Sequence, residues 1–172
     1  MADNKLIESL IAVSARTLGV ADYSPEQIEA ALKTAFGLDT QLIIDQSYFI
    51  VETGSVPVAC GGWSFRETLF GSDLEQNRSS KRINPANGAA KIRAFFVKPE
   101  YARMGIGSMI MHRCEEEARR AGFRKLELMA TLPGVKFYLR HGFIAGKPIQ
   151  YPLGGTLTIK FVPMYRETSV GG

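Results

Sequence analysis

The chain has 172 residues, of which 45% are hydrophobic, 10% aromatic and 22% charged. These proportions are typical of one globular domain, and they argue against a disordered, collagen-like or disulfide-rich chain. The formal net charge of +4 is compatible with a polyanionic ligand but too small to indicate nucleic-acid binding by itself. No run approaches the roughly 20 apolar residues that a membrane-spanning helix needs. We therefore expect a single domain over residues 1–172.

Residue types that would support other chemistries are scarce. Cys60 and Cys114 have no second cysteine at the spacing of a redox or zinc motif. His112 and His141 are the two histidines, which excludes a multi-histidine metal site. Residues 1–5 lack the basic, apolar and small-residue order of an export signal. We expect a cytoplasmic protein with no metal, no membrane contact and no nucleic-acid partner.

The first third of the chain predicts two helices followed by a hairpin. Leucines and isoleucines between 6 and 18 recur at helical spacing. At the start of the second helix, Ser24 can cap, Pro25 suits the first helical position and Gln27 completes a capping box. A Gly-Ser pair then joins two predicted strands, at 47–53 and 56–65.

The remainder of the chain predicts alternating strands and helices after one long connection. Residues 66–88 are polar and carry no clear element, so they predict a long flexible loop. Further elements are predicted at 90–97 (strand), 105–121 (helix), 125–131 (strand), 133–140 (helix), 143–151 (strand) and 156–162 (strand). This order is typical of a mixed sheet that contains one strand–helix–strand unit with parallel strands.

The turn before the helix predicted at 105–121 carries the most specific signal. It reads Ala-Arg-Met-Gly-Ile-Gly-Ser from 102 to 108. Two glycines let the backbone approach a ligand, and free N–H groups at a helix start favour an anion such as a pyrophosphate. A P-loop would need a lysine before Ser108, and a dinucleotide fingerprint would need a third glycine at Ile110. A tight turn without a ligand is an equally weighted alternative at this point.

Three segments between residues 95 and 143 share their order and spacing with a known family. They are Phe-Phe-Val-Lys-Pro-Glu-Tyr at 95–101, the Gly-Ile-Gly turn at 105–107, and Phe-Tyr-Leu-Arg-His-Gly-Phe at 137–143. Together they resemble the GNAT superfamily of acyl-CoA-dependent N-acetyltransferases. The resemblance implies an α+β fold of three layers (α/β/α), whose mixed, mostly antiparallel twisted sheet has a splayed central parallel strand pair and flanking helices.

The resemblance also implies an activity and roles for individual residues. The activity is transfer of an acetyl group from acetyl-CoA to a primary amine by direct attack in a ternary complex. Pantetheine would pair with the main chain of Phe95 and Val97, and the Phe95 N–H would stabilise the oxyanion. Tyr138 would protonate the departing thiolate, with packing beside Phe137 as its alternative role. The CoA pyrophosphate would bind the backbone N–H groups of Arg103, Met104, Gly105, Ile106, Gly107 and Ser108.

Two departures from the family pattern are visible. Ala102 stands where the family has Gln or Arg, which weakens the case for one side-chain contact to the phosphates. The chain starts almost directly in a helix, so the family's first strand is expected to be missing or very short. The general base stays unassigned. Glu127 is its first candidate, although an ion pair with an arginine such as Arg93 is the favoured reading of that carboxylate.

The acceptor and the assembly are left open by the sequence. A small polyamine, an antibiotic, an amino acid and a peptide N-terminus all remain candidates. Leu69 and Phe70 in the long loop are candidates to cover the site, and GNAT domains often pair, so a homodimer is one expectation. The alternative function is a non-catalytic CoA-binding sensor or interaction module on the same fold.

Overall fold

The computed structural model describes residues 4–70, 72–75 and 78–168. Five helices are described: α1 (Asn4–Leu18), α2 (Pro25–Leu32), α3 (Thr40–Ile44), α4 (Ile106–Arg120) and α5 (Val135–Arg140). Seven strands are described: β1 (Tyr48–Thr53), β2 (Val56–Ser64), β3 (Ala90–Val97), β4 (Lys125–Thr131), β5 (Ile144–Ala145), β6 (Ile149–Gly154) and β7 (Leu157–Glu167). Short 3-10 turns follow β3 and β4.

The strands form one mixed sheet in the order β1-β2-β3-β4-β7-β5, with β6 also paired to β7. β3 and β4 are parallel, and every other pair is antiparallel. A parallel pair needs a crossover connection, which α4 supplies here. The predicted α+β sheet with a central parallel pair is therefore confirmed.

Two apolar clusters pack on opposite faces of this sheet. One face carries α4 and α5, with Ile110, Cys114 and Tyr138 buried against β3 and β4. We call this the α4 face. The other face carries α1 and α2, with Leu10 and Ile28 among its buried residues. We call this the α1 face. Because strand side chains alternate between faces, the strands β1, β2, β3, β4 and β7 contribute to both clusters, and the result is the expected three-layer arrangement.

Local sequence signals account for how the α1 face is assembled. The Ser24 side chain accepts a hydrogen bond from the Gln27 N–H, and the Gln27 side chain accepts one from the Ser24 N–H, as the capping box predicted. Tyr23 precedes this cap, and its hydroxyl donates to the Lys160 carbonyl and accepts from the Leu132 N–H. The connection between α1 and α2 is thereby held to β7 and to the end of β4.

Several predicted elements differ from the observed ones. The region 38–45 contains α3, which the sequence analysis did not predict and whose first turn is capped by the Asp39 side chain. The strand predicted at 143–151 is divided into β5 and β6, and β7 extends beyond the predicted end at 162 to Glu167. The helix predicted at 133–140 starts as a 3-10 turn and becomes α5 at Val135.

The described part of the long connection 66–88 has no helix or strand, and its hydrogen bonds and ion pairs hold it to the domain. Arg66 forms an isolated bridge with Arg82 and a two-pronged ion pair with Asp45. Arg78 binds both Asp39 and Asp73. The segment lies beside α3 and the edge of the sheet. No helix in the described ranges is long and apolar enough to cross a bilayer.

Candidate functional site

The parallel strands β3 and β4 separate partway along their length. They pair at three positions, and the last of these joins Ile92 to Leu128. Beyond it, β3 continues to Val97 against β2, and β4 continues to Thr131 against β7. The facing edges of 93–97 and 129–131 therefore carry no strand pairing, and they bound a gap in the middle of the sheet.

Main-chain groups of β3 point into this gap. Phe96 pairs with Cys60 on β2, and the Lys98 N–H donates to the Val58 carbonyl at 2.8 Å. Hydrogen-bonding direction alternates along a strand. Phe95 and Val97, the residues on either side of Phe96, therefore turn their N–H and carbonyl groups away from β2. The two residues predicted to pair with pantetheine thus present main-chain groups to the open edge.

A bulge in β3 lies where the strands separate. Ala94 adopts a left-handed backbone with φ 57°, and the β2–β3 register shifts between Cys60 and Gly62. A bulge of this kind bends a strand and increases its twist. The ring of Phe95 then lies over Gly61, where a Cβ would come within 2.5 Å of it. A glycine at 61 is therefore required for Phe95 to occupy this position.

The turn between β3 and α4 presents a row of unpartnered N–H groups. Arg103 and Gly105 both have left-handed backbone, with φ 61° and 81°, and such alternation makes a concave anion-binding nest. Within the described residues, no backbone or side-chain acceptor takes a hydrogen bond from the six N–H groups of 103–108. Apart from its chain neighbours and the backbone of α4, no atom of the described residues lies within 4 Å of the Cβ position of Gly105, so the nest is open on that side.

A serine–histidine contact fixes the start of α4. The Ser108 hydroxyl and the His141 Nε2 lie 2.9 Å apart, and the His141 ring packs on Phe137 at 4.6 Å. Burial lowers the pKa of His141, and the neighbouring His112 and Arg166 lower it further. The lowered pKa favours the neutral form of His141 at neutral pH. No local pattern predicts this contact, because the two residues lie 33 positions apart.

Tyr138 lies at the α4 face of the gap. Its ring is 6.3 Å from Phe95 of β3 and 5.8 Å from Phe143, and it is 9% exposed. A Cβ at Gly134 would touch both the Tyr138 ring and the Thr131 hydroxyl, so the ring also borders the end of β4. Burial raises the pKa of Tyr138 well above its usual value, and Cys114 adds to this shift. The phenol therefore keeps its proton at neutral pH.

The candidate base Glu127 forms an ion pair, as the favoured alternative predicted, but with a different partner. It pairs with Lys91, its neighbour across the parallel strands, and Arg93 pairs instead with Asp39 at 3.2 Å. Burial lowers the pKa of Lys91, and the nearby Glu67 carboxylate opposes that shift. Lys91 and Glu127 stand at the point where the strands separate, on the α1 face.

Cys60, Cys114 and Trp63 lie in the core. Cys60 and Cys114 are fully buried, and burial raises the pKa of the Cys60 thiol to about 12. Trp63 packs edge-on against Phe123, and its indole N–H donates to Glu117 of α4 at 3.3 Å. No cluster of three potential metal ligands occurs in the described part of the chain. The gap, the nest and Tyr138 remain as the group of predicted residues that the fold brings together.

Comparisons with known proteins agree with this geometry. Residues 17–143 match the family described as "Acetyltransferase (GNAT) family". A GCN5-related N-acetyltransferase from Rhodopseudomonas palustris superposes with a TM-score of 0.70 at 20% identity, covering 96% of this chain and 89% of that one.

Two further solved structures share the fold at lower identity. The PaiA N-acetyltransferase of Thermoplasma acidophilum, solved with coenzyme A, gives a TM-score of 0.66 at 15% identity, with coverage of 96% and 92%. The ribosomal-protein-S18-alanine N-acetyltransferase of Escherichia coli gives 0.53 at 15%, with coverage of 87% and 93%. No match was found among curated proteins.

Proposed function

The chain belongs to the GNAT acetyltransferase family, and from this membership we propose that it transfers an acetyl group from acetyl-CoA to a primary amine. The observation that carries the proposal is the open nest at 103–108 next to the unpaired edges of β3 and β4. A diphosphate fits the first and an extended pantetheine arm fits the second. The solved complex of the Thermoplasma acidophilum neighbour with coenzyme A supports the same ligand.

Binding would use main-chain groups. The six N–H groups of 103–108 are unpartnered within the described residues, and the positive end of the α4 dipole adds to their attraction for phosphate. Because these donors belong to the backbone, Ala102 in the family's Gln or Arg position removes a side-chain contact without removing the nest. Phe95 and Val97 would hold the pantetheine arm as an added strand would be held.

Catalysis would depend on holding the two reactants close together and on two donor groups, the Phe95 N–H and the Tyr138 hydroxyl. Acetyl-CoA supplies the thioester carbonyl, and the Phe95 N–H would donate to its oxygen as negative charge develops there. The neutral amine nitrogen would form a bond to the carbonyl carbon, and the bond from that carbon to sulfur would break. The proton that the nitrogen loses as the amide forms would pass to water. Tyr138 would give its proton to the departing sulfur, since a buried phenol holds that proton at neutral pH. Holding both reactants in one gap supplies most of the rate enhancement.

The proposal is tested by binding and by turnover. Isothermal titration with acetyl-CoA should show saturable binding, and thiol release should appear when a panel of primary amines is added. Absence of binding at millimolar acetyl-CoA would refute the ligand assignment. Binding without thiol release from any amine would favour the sensor function and refute the transferase.

A further inference from the structure

A buried thiol contacts the bulge that lies where β3 and β4 separate. Cys60 of β2 is fully buried, and its Sγ lies 3.6 Å from the carbonyl oxygen of Ala94, to which it donates a hydrogen bond. Burial raises the pKa of this thiol to about 12. The thiol therefore keeps its proton at neutral pH and remains a donor. Nothing in the proposed acetyl transfer uses it.

The hydrogen bond occurs where the regular pairing of β2 with β3 is interrupted. The pairing passes from Gly62 and Arg93 to Cys60 and Phe96, so two residues of β3 face a single residue of β2. Neither of these two residues, Ala94 and its successor, has a partner in the register. Main-chain groups inside a sheet need hydrogen-bond partners, and the thiol supplies one to the Ala94 carbonyl.

The Ala94 carbonyl and the Phe95 N–H belong to the same peptide unit. A trans peptide unit is planar, so its C=O and its N–H point in opposite directions. The carbonyl meets Cys60 on the side of β2, and the N–H therefore points to the side of the gap. Strand alternation from Phe96 gives the same direction for the Phe95 N–H. The thiol contact thus fixes the orientation of the proposed oxyanion donor.

Other contacts hold the residues before and after this peptide unit. Arg93 is buried, and its guanidinium donates to the Thr68 carbonyl at 3.0 Å. Phe96 pairs with Cys60 across the strands. Between these two anchors, the backbone turns through the left-handed conformation of the bulge. The thiol bonds the peptide unit that lies between them.

The same hydrogen bond strengthens the Phe95 N–H as a donor. A donor at the carbonyl oxygen increases the polarity of the peptide unit, and hydrogen bonds arranged in a chain reinforce one another. An oxyanion is stabilised by dipoles that are already in place before charge develops. Cys60 therefore acts on both the direction and the strength of this donor, although its own side chain is on the far side of the peptide.

We propose that Cys60 is a positioning residue for acetyl transfer: its thiol donates to the Ala94 carbonyl and thereby directs the Phe95 N–H at the thioester oxygen. This inference rests on the proposed function and adds a residue to it. The thiol forms no bond to either substrate, and its charge and oxidation state do not change. Because Cys60 acts through one peptide unit, it affects the chemical step more than the binding of acetyl-CoA.

Cys60→Ala and Cys60→Ser are a matched pair, because the two new side chains have nearly equal volumes and serine keeps a donor. Single-turnover transfer from bound acetyl-CoA to an amine accepted in the panel should slow about tenfold in Cys60→Ala, as expected for one lost hydrogen bond. Cys60→Ser should stay within about threefold of the wild-type rate. In both variants the Kd for acetyl-CoA should change by less than about threefold. A residue that only filled space would give the opposite order, since burying a hydroxyl is less favourable than burying a methyl group.

Infrared spectroscopy gives a second readout that needs no amine. The stretch of an isotope-labelled thioester carbonyl moves to lower frequency when an N–H donates to its oxygen. This shift on binding acetyl-CoA should appear in the wild type and in Cys60→Ser, and it should be reduced in Cys60→Ala. Ile159→Val is the control, because it removes a methyl group from a fully buried residue of the same cluster on β7. It should lower stability and leave both the rate and the carbonyl shift unchanged.

Separate outcomes distinguish this inference from the proposed function. If amines are acetylated but Cys60→Ala equals Cys60→Ser in rate and in carbonyl shift, the positioning role is overturned and the transferase stands. If the carbonyl shift depends on residue 60 as expected while no amine is acetylated, the positioning role stands and the transferase is overturned. If acetyl-CoA does not bind, both are overturned.

Discussion

Replacing Gly61 with alanine is expected to disturb the oxyanion donor through one side-chain contact. An ideal Cβ at Gly61 lies 2.5 Å from Cδ2 and 2.6 Å from Cε2 of Phe95, whereas carbon atoms in contact sit about 3.5–4.0 Å apart. The Phe95 ring must therefore move by about 1 Å. Overpacking of this size lowers the free energy of unfolding by roughly 1–3 kcal/mol. Alanine also reduces the conformational entropy of the unfolded chain, which raises the free energy of unfolding by about 0.4–1 kcal/mol. We expect a net loss of about 1–2 kcal/mol in the free energy of unfolding.

The same displacement should affect catalysis more than acetyl-CoA binding. Phe95 carries the N–H that faces the gap, and a misplacement of about 1 Å can lower kcat as much as 100-fold. Chemical denaturation gives the stability, thiol release gives kcat, and calorimetry gives the Kd for acetyl-CoA. The Kd should change by less than about threefold, since the nest at 103–108 supplies most of the binding contacts.

A double-mutant cycle provides the decisive control. In a Phe95→Ala background the added methyl group meets no ring, so Gly61→Ala should become neutral or slightly stabilising. If Gly61→Ala costs the same free energy of unfolding in both backgrounds, the contact between residue 61 and the Phe95 ring is not the cause. In that case the position of the Phe95 ring does not determine the geometry of the site.

Three further outcomes are expected. Gly105→Ala should raise the Kd for acetyl-CoA about tenfold, because a left-handed backbone costs alanine roughly 1–2 kcal/mol and relaxation of that strain would flatten the nest. An unchanged Kd, measured by calorimetry, would contradict the binding of acetyl-CoA by the nest. Tyr138→Phe should lower kcat about 100-fold or more with little effect on Kd, and equal turnover would remove Tyr138 from the proton transfer. The lowered pKa of His141 means that the folded protein binds fewer protons than the unfolded chain, so its contribution to stability is lost as pH falls below about 6.5. Denaturation of wild type and His141→Gln from pH 5 to 8 should show the difference growing with pH and then levelling off, and a flat difference would contradict the assignment.

The sequence predicted the elements whose signals are local. The capping box at Ser24 and Gln27 appears as expected, because its two hydrogen bonds join residues three positions apart. The strand–helix–strand unit from β3 to β4 was also placed within a residue or two, since apolar periodicity and a glycine turn mark each boundary. The glycine pattern at 103–108 did not by itself distinguish an anion site from a tight turn without a ligand, and the prediction of a phosphate site came from the resemblance of the neighbouring segments to the GNAT family.

The features that the sequence did not show depend on distant partners. α3 is short and is stabilised by Asp39, a buried carboxylate that also binds Arg93 and Arg78 from other segments. The pairing of Glu127 with Lys91 depends on the parallel register, which no local pattern specifies. The described part of the connection 66–88 has no helix or strand, so its side chains could be placed only once the fold was known.

The left-handed backbone of Ala94 has an energetic cost and a consequence for the shape of the sheet. A non-glycine residue in that conformation gives up roughly 1–2 kcal/mol, and the extra residue deprives the sheet of hydrogen bonds that a regular pleat would make. Without this extra residue, we expect β3 to be a regular strand that pairs with β4 along its whole length and forms a more stable sheet. Such a molecule would lack the gap in the middle of the sheet, so the strained residue lowers the stability of the domain and keeps β3 and β4 apart.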